Sequence, residues 1–171
     1  MQVQTSERPG TKMASETSHY ATIVQLLARC ARLIDDGQYE EMLELFDESA
    51  KYEVLPLENL KQGLPSSLMR CSSRGMLGDR IMGLRKASVI NIHTDRHILS
   101  FPEIVEERGA AEYRVKTSFA CYQTSQEGRT ALFAVGYYDD NVKVDASGAR
   151  FMSRVVVLET FSVPSLMGVP L

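Results

Sequence analysis

The chain has 171 residues, of which 44% are hydrophobic and 24% charged, with a net charge of −3 and a pI near 5.7. That is the length and usage of one globular domain, so disorder, collagen and coiled coil are excluded as its organising principle. The acidic balance disfavours a general nucleic-acid binder, and no run approaches the roughly 20 apolar residues of a membrane-spanning helix.

Residues 1–18 are polar, contain Pro9-Gly10 and several Ser and Thr, and are expected to form an N-terminal tail or arm. Residues 19–171 are expected to form a single α+β domain. The N-terminus lacks the basic and apolar regions of a secretory signal. With three widely spaced cysteines, this predicts a reducing, cytoplasmic setting rather than a disulfide framework. From 19 to 36, Ile23, Leu26, Leu27, Cys30, Leu33 and Ile34 recur at helical spacing, and Gly37 is placed to end that helix in the left-handed conformation. A short second helix carries Tyr39, Met42, Leu45 and Phe46 on one side and is broken by Asp47 to Ala50. Lys51 to Leu55 alternates as a short strand closed by Pro56. Residues 56–72 form a long irregular connection. A third helix is expected over 73–87, with Leu77, Ile81 and Leu84 on one face and three glycines that make it dependent on tertiary support.

The remainder has strand character over about 95–107, 111–125, 130–144 and 150–163. In the second run Tyr113, Val115, Thr117, Phe119 and Cys121 alternate with polar residues. The separators Arg108-Gly109, Gln126-Glu127-Gly128 and Ala146-Ser147-Gly148 are short enough for hairpins. Long strands joined this way form an antiparallel meander that must curl, and the three N-terminal helices cover its concave face.

The chemistry-bearing residues are few. There is no CxxC or Cys-x-His pair, so this chain lacks the ligand spacing of zinc ribbons and iron–sulfur clusters; phosphate-cradling glycine loops are absent too. His93, Asp95 and His97 have the ligand types of a two-His, one-carboxylate iron site. Two residues of extended chain advance roughly 6.8 Å, which separates the histidines by about 13 Å, too far to close on one ion. Proton-transfer chemistry inside a cone would draw on Asp47, Tyr52, His97 and Tyr137. Tyr137 and Tyr138 present one ring to each face of the sheet, one for the core and one for a partner. Phe133, Tyr137, Phe151, Val155 and Val157 leave apolar sheet surface that predicts self-association.

Four strings occur in order: Met76-Leu77-Gly78-Asp79-Arg80-Ile81 with Arg85 following, Asp95-Arg96-His97-Ile98-Leu99-Ser100, Gly136-Tyr137-Tyr138-Asp139-Asp140, and Arg154-Val155-Val156-Val157-Leu158-Glu159-Thr160. With the order of elements, they resemble the small (β) subunit of bacterial aromatic-ring-hydroxylating dioxygenases, from about residue 19 to 171. The resemblance implies the cone-shaped nuclear-transport-factor-2-like fold. Glu58 to Pro65 is similar to members serving aromatic acids such as salicylate, anthranilate or terephthalate. The Arg-Trp common in the family's final hairpin is Arg150-Phe151 here.

The family implies a mainly structural subunit with no catalytic, cofactor or metal residue of its own. The large (α) subunit would carry the Rieske [2Fe–2S] cluster and a non-haem iron. The small subunits would self-associate as a trimer within a three-plus-three hexamer, served indirectly by a reductase or ferredoxin. Arg80, Arg85, Arg96 and Arg154, which lie in the resembling strings, are expected with His97 and Tyr137 at interfaces or in a buried polar network. The alternative is a stand-alone isomerase, dehydratase or small-ligand binder of the same fold, with its pocket at Asp47, Tyr52, His97 and Tyr137.

Overall fold

The computed structural model describes residues 9–64, 66–87, 93–109, 111–160 and 170–171. Helix α1 spans Pro9–Asp35, beginning within the stretch expected to be a tail. Every residue of its predicted apolar stripe, from Ile23 to Ile34, is buried. The helix ends as its sequence dictates. Gly37 takes a φ of +67°, its N–H bonds the Ile34 carbonyl at 3.0 Å, and the Gln38 N–H bonds that of Leu33 at 2.8 Å. This paired closure satisfies carbonyls that a helix end otherwise leaves open.

Helix α2 is a single turn, Tyr39–Leu43, and strand β1 runs Phe46–Pro56. The expected break at Asp47–Ala50 is instead the start of β1. The strand pairs in parallel with the last strand of the sheet, and its register shifts between Phe46 and Lys51. That bulge hides the alternation by which a sequence announces a strand. The irregular connection expected over 56–72 also contains structure: a one-turn helix α3 (Leu57–Lys61) and strand β2 (Met69–Cys71), which pairs antiparallel with β1. Helix α4 is Arg74–Ala87, with Leu77 and Ile81 buried; the side chain of Leu84 lies outside the described residues.

The expected meander follows. The run predicted over 95–107 divides into β3 (His93–Leu99) and β4 (Glu103–Glu107), both antiparallel to β5 (Glu112–Ser125). Strand β6 is Thr130–Asp145. Strand β7 is Gly148–Leu158, shorter than the expected end at 163; residues 161–169 lie outside the described ones. The sheet order is β2-β1-β7-β6-β5-β3, with β4 beside β5. It is an α+β arrangement: a curled, unclosed sheet with α1, α2 and α4 packed on it. Among the described residues only the β1–β7 pairing is parallel. Among the described residues no helix is long and apolar enough to cross a membrane.

The inner face is built by period-two alternation. Tyr113, Val115, Thr117, Phe119 and Cys121 of β5 are all buried, as are Tyr138, Asp140, Val142 and Val144 of β6 and Arg154, Val156 and Leu158 of β7. The apolar surface differs from expectation. Phe133, Phe151 and Val157 are buried within the chain itself, and Val155 and Tyr137 are half-buried. The large exposed apolar residues lie at the two edges of the sheet and on the outer face beside one edge: Ile98, Phe101, Val105, Tyr122 and Leu132 on one side, Leu60, Leu64, Leu68, Met76 and Met82 on the other.

One glycine is fixed by close approach. A Cβ on Gly136 would lie 2.0 Å from the Val157 carbonyl oxygen, so β6 and β7 can sit together there only without a side chain. Gly136→Ala must push backbone against backbone and is expected to cost at least the ~1–3 kcal/mol of an overpacked core. Urea denaturation measures it; an unchanged midpoint would show that the strands part there without cost.

Candidate functional site

The centre of the cone holds a charge pair. Alternation along β6 turns Asp140 inward with Tyr138, and alternation along β7 turns Arg154 inward with Val156; the two residues face each other in the ladder. Arg154 is 2% exposed and Asp140 0%. Arg154 donates from Nε to Asp140 Oδ1 and from Nη2 to Oδ2, each at 2.9 Å. Its Nη1 donates to Cys30 Sγ of α1 at 3.4 Å. The Tyr138 ring lies 4.1 Å from the guanidinium carbon and the Phe151 ring 4.3 Å, so aromatic faces cover the cation where water cannot.

The electrostatics follow from this burial. Desolvation pushes the Asp140 carboxyl above its ordinary value, with the Arg154 cation opposing. Burial works against the Arg154 charge as well, but the Asp140 carboxylate overcomes it and holds the guanidinium above its usual range. Desolvation likewise raises the Cys30 thiol and the Tyr138 hydroxyl, so neither ionises near neutrality. A guanidinium engaged on both forks by a carboxylate has no proton to give or take at ordinary pH. This arrangement fills the cone and fixes its walls; it is not an acid–base pair.

The other residues singled out in the sequence are dispersed. Tyr52, on β1, donates to the main-chain oxygen of Leu171 at 2.9 Å and accepts from the Leu171 N–H at 3.0 Å, and burial pushes its hydroxyl upward. Asp47 sits at the surface, where its Oδ1 accepts from the Ser49 N–H (3.0 Å) and hydroxyl (2.7 Å); the hydroxyl and then the backbone bond lower its pKa. Tyr137 faces outward under Lys116, whose ammonium lies 5.3 Å from the ring centroid. Asp47, Tyr52, His97 and Tyr137 therefore do not converge on one pocket. Arg80 is exposed and lines a cleft between β2 and α4. The side chain of Arg85 lies outside the described residues.

His97 belongs to a second buried contact. Its Nδ1 donates to Asp35 Oδ1 at 2.6 Å and its backbone N–H to Oδ2 at 3.0 Å, while Arg96 Nη1 lies 3.5 Å from the same Oδ2. Asp35 ends α1, where a helix disfavours negative charge; the donors of β3 offset this and clamp the helix to the sheet edge. His97 Nε2 is buried without a hydrogen-bond partner among the described residues.

The donors present do not fit a Rieske cluster or a mononuclear iron. His93 pairs with Asp95 at 3.4 Å while His97 turns to Asp35. His19 meets the Tyr113 hydroxyl at 2.7 Å, and the three cysteines lie buried on α1, β2 and β5. Desolvation pushes the Cys121 thiol up to about 12. Among the described residues no three His, Cys, Asp or Glu side chains are grouped to hold a metal.

Among the described residues the inside of the curled sheet is thus organised around a buried ion pair that ties α1, β6 and β7 together. The chain belongs to the ring-hydroxylating beta subunit family, whose pattern it matches over residues 29–165. It is 32% identical over 138 residues to the anthranilate 1,2-dioxygenase small subunit of Burkholderia cepacia, covering 81% of this chain and 85% of that one. It is 30% identical over 144 residues to subunit beta 1 of the terminal oxygenase component of terephthalate 1,2-dioxygenase from a Comamonas species, covering 84% and 93%. A crystal structure from Novosphingobium aromaticivorans, described as the beta subunit of an aromatic-ring-hydroxylating dioxygenase, superposes with a TM-score of 0.83 at 29% identity, covering 92% of this chain and 99% of that one. The fold is thus the nuclear-transport-factor-2-like cone.

Sequence reasoning selects Arg154 for an interface or a buried polar network; it lies inside the chain in a buried polar pair. Asp140, Asp35 and Cys30 were missed as its partners or as those of His97. The signal was available for Asp140: it shares parity with Tyr138 and Val142, so an inward tyrosine implies an inward acid. Removing one member of the pair, by Arg154→Met or Asp140→Leu, is expected to cost ~3–5 kcal/mol by stranding the other charge. The double variant should recover a large share of that loss. A denaturant-based double-mutant cycle reads this directly, and singles costing under ~1 kcal/mol would mean that the pair is not the tie described.

Proposed function

We propose that the chain is the mainly structural small subunit of a multicomponent oxygenase that hydroxylates an aromatic acid. The observation that carries this reading is the interior of the cone. Where a pocket enzyme would keep a dry cavity with a tuned acid or base, this chain places a satisfied ion pair between aromatic rings. The chemistry then belongs to a large subunit carrying the Rieske cluster and the non-haem iron, reduced by a ferredoxin or reductase. The small subunit supplies a rigid support, assembled as a trimer within a three-plus-three hexamer in the bacterial cytoplasm. An aromatic acid is favoured because the relatives named above are subunits of anthranilate and terephthalate dioxygenases.

Co-expression with a large (α) subunit of this dioxygenase family from the same organism tests the reading. The small chain alone is expected to be colourless and free of iron and acid-labile sulfide, and to co-purify with a coloured partner. His97→Ala and Asp47→Ala should leave turnover per assembled complex within a fewfold, whereas a lost catalytic acid or base removes 10²–10⁴-fold. Arg154→Ala should lower the yield of complex through the fold of the subunit and spare the turnover of what assembles. A thousandfold loss of turnover in an assembled, iron-replete His97→Ala complex would move this chain into the catalytic class.

A further inference from the structure

Among the described residues the least buried large apolar side chain is Phe101, at 89% exposure. It is not on a loose loop. It sits where the edge strand divides into β3 and β4, and the chain is pinned on both sides of it. The Ser100 N–H bonds the Ser118 carbonyl at 2.9 Å, the Ser118 N–H bonds Ser100 Oγ at 3.0 Å, and the Tyr20 hydroxyl of α1 donates to the Pro102 carbonyl at 3.0 Å. A bulky ring held rigidly in water has the form of an interface anchor, which loses little conformational freedom on binding. Past it, β4 exposes Val105 and the carboxylates of Glu103 and Glu107.

At the opposite edge of the same sheet, where β2 meets α4, lies a cleft of about 390 Å³ lined by Leu68, Met69, Met76, Arg70 and Arg80, with Asp79 in its wall. Leu68 and Met76 are half exposed and Met82 continues the apolar surface. Arg70 is largely exposed while touching Glu53 at 3.1 Å, and Arg80 is exposed. Knob and cleft are complementary in kind, an aromatic ring beside carboxylates against apolar side chains beside guanidinium groups. Because they lie on opposite sheet edges, one chain cannot join them to itself. A contact between two different patches of identical chains is head-to-tail, and such a contact builds a ring when its rotation closes and an open filament when it does not.

We infer that Phe101 of one copy inserts into the β2–α4 cleft of a second copy of this chain, with Glu103 beside Arg80, and that this contact builds the ring of small subunits. The inference deepens the reading of the chain as a self-associating subunit and rests on it.

Sedimentation of the full chain without other subunits tests it. The wild type is expected to associate into one closed species. Phe101→Ala and Met76→Asp should each weaken association at least tenfold; both side chains are exposed, and an unchanged urea midpoint controls for folding. Arg80→Glu should weaken association, and Glu103→Arg in the same chain should restore it. Phe101→Cys combined with Met76→Cys should give disulfide-linked copies that neither single variant gives. A wild-type chain that stays monomeric at its highest soluble concentration, or a Phe101→Ala chain that associates like wild type, overturns the inference. If Phe101→Ala loses only co-purification with the large subunit, the ring docks there instead and the inference falls while the oxygenase reading stands. If the crosslink forms but the wild type never binds the large subunit, the oxygenase reading falls and the contact stands.

Discussion

A guanidinium and a carboxylate locked together at the centre of the cone constrain most of what surrounds them. Each ion costs several kcal/mol to take from water, and only near-complete satisfaction offsets that. Arg154 meets the requirement with two bonds to Asp140, one to Cys30 and contacts with two aromatic rings. These partners come from α1, β6 and β7, so the pair can be satisfied only when helix and strands are all in place. A shift of β6 against β7, or a lifting of α1, would leave a buried donor without an acceptor.

The same pair also occupies the inside of the curled sheet. A cone open enough to admit a ligand must leave its inner polar groups free for that ligand. Among the described residues, all the buried side-chain polar atoms except His97 Nε2 and Thr117 Oγ1 are taken. Tyr52 closes against the main chain of Leu171 in both directions, and Phe119 stacks on Tyr138 at 4.5 Å. His97 is drawn to Asp35 at the end of α1. On the outside, the exposed apolar residues gather toward the two sheet edges.

The sheet was legible wherever alternation is local. Tyr113 to Cys121 and Arg154 to Leu158 announce their inward faces by period two, and short glycine-bearing separators announce the hairpins. What escaped was set by partners distant in sequence or by broken periods. Strand β1 pairs in parallel with β7 across about a hundred residues of chain, and no local pattern in Asp47 to Ala50 encodes it. The edge strand reads as one run until Ser100–Pro102 interrupts it. Arg154 was visible as a candidate because of its neighbours, but an arginine is read as surface by default. Its burial follows only from parity, the same parity that turns Asp140 inward. Asp35 could not be found that way, since its partner on β3 lies more than sixty residues on.

Asp139 and Asp140 show how a sequence can specify both faces of a strand at once. Adjacent strand residues point to opposite sides, so the dipeptide places one carboxylate outside and one inside. Outside, Asp139 accepts from Arg114 of β5 at 2.8 and 2.7 Å in a half-exposed pair; inside, Asp140 accepts from Arg154 of β7. The outer pair, screened by solvent, contributes ~0–1 kcal/mol, and the inner one contributes mainly through the penalty for breaking it. Their joint effect is on register. A one-residue slip of β6 would exchange the two faces, burying the acid meant for solvent and leaving Arg154 in the core opposite a group of the wrong parity. The strand is thereby pinned from both sides, and the pin lies at the centre of the sheet.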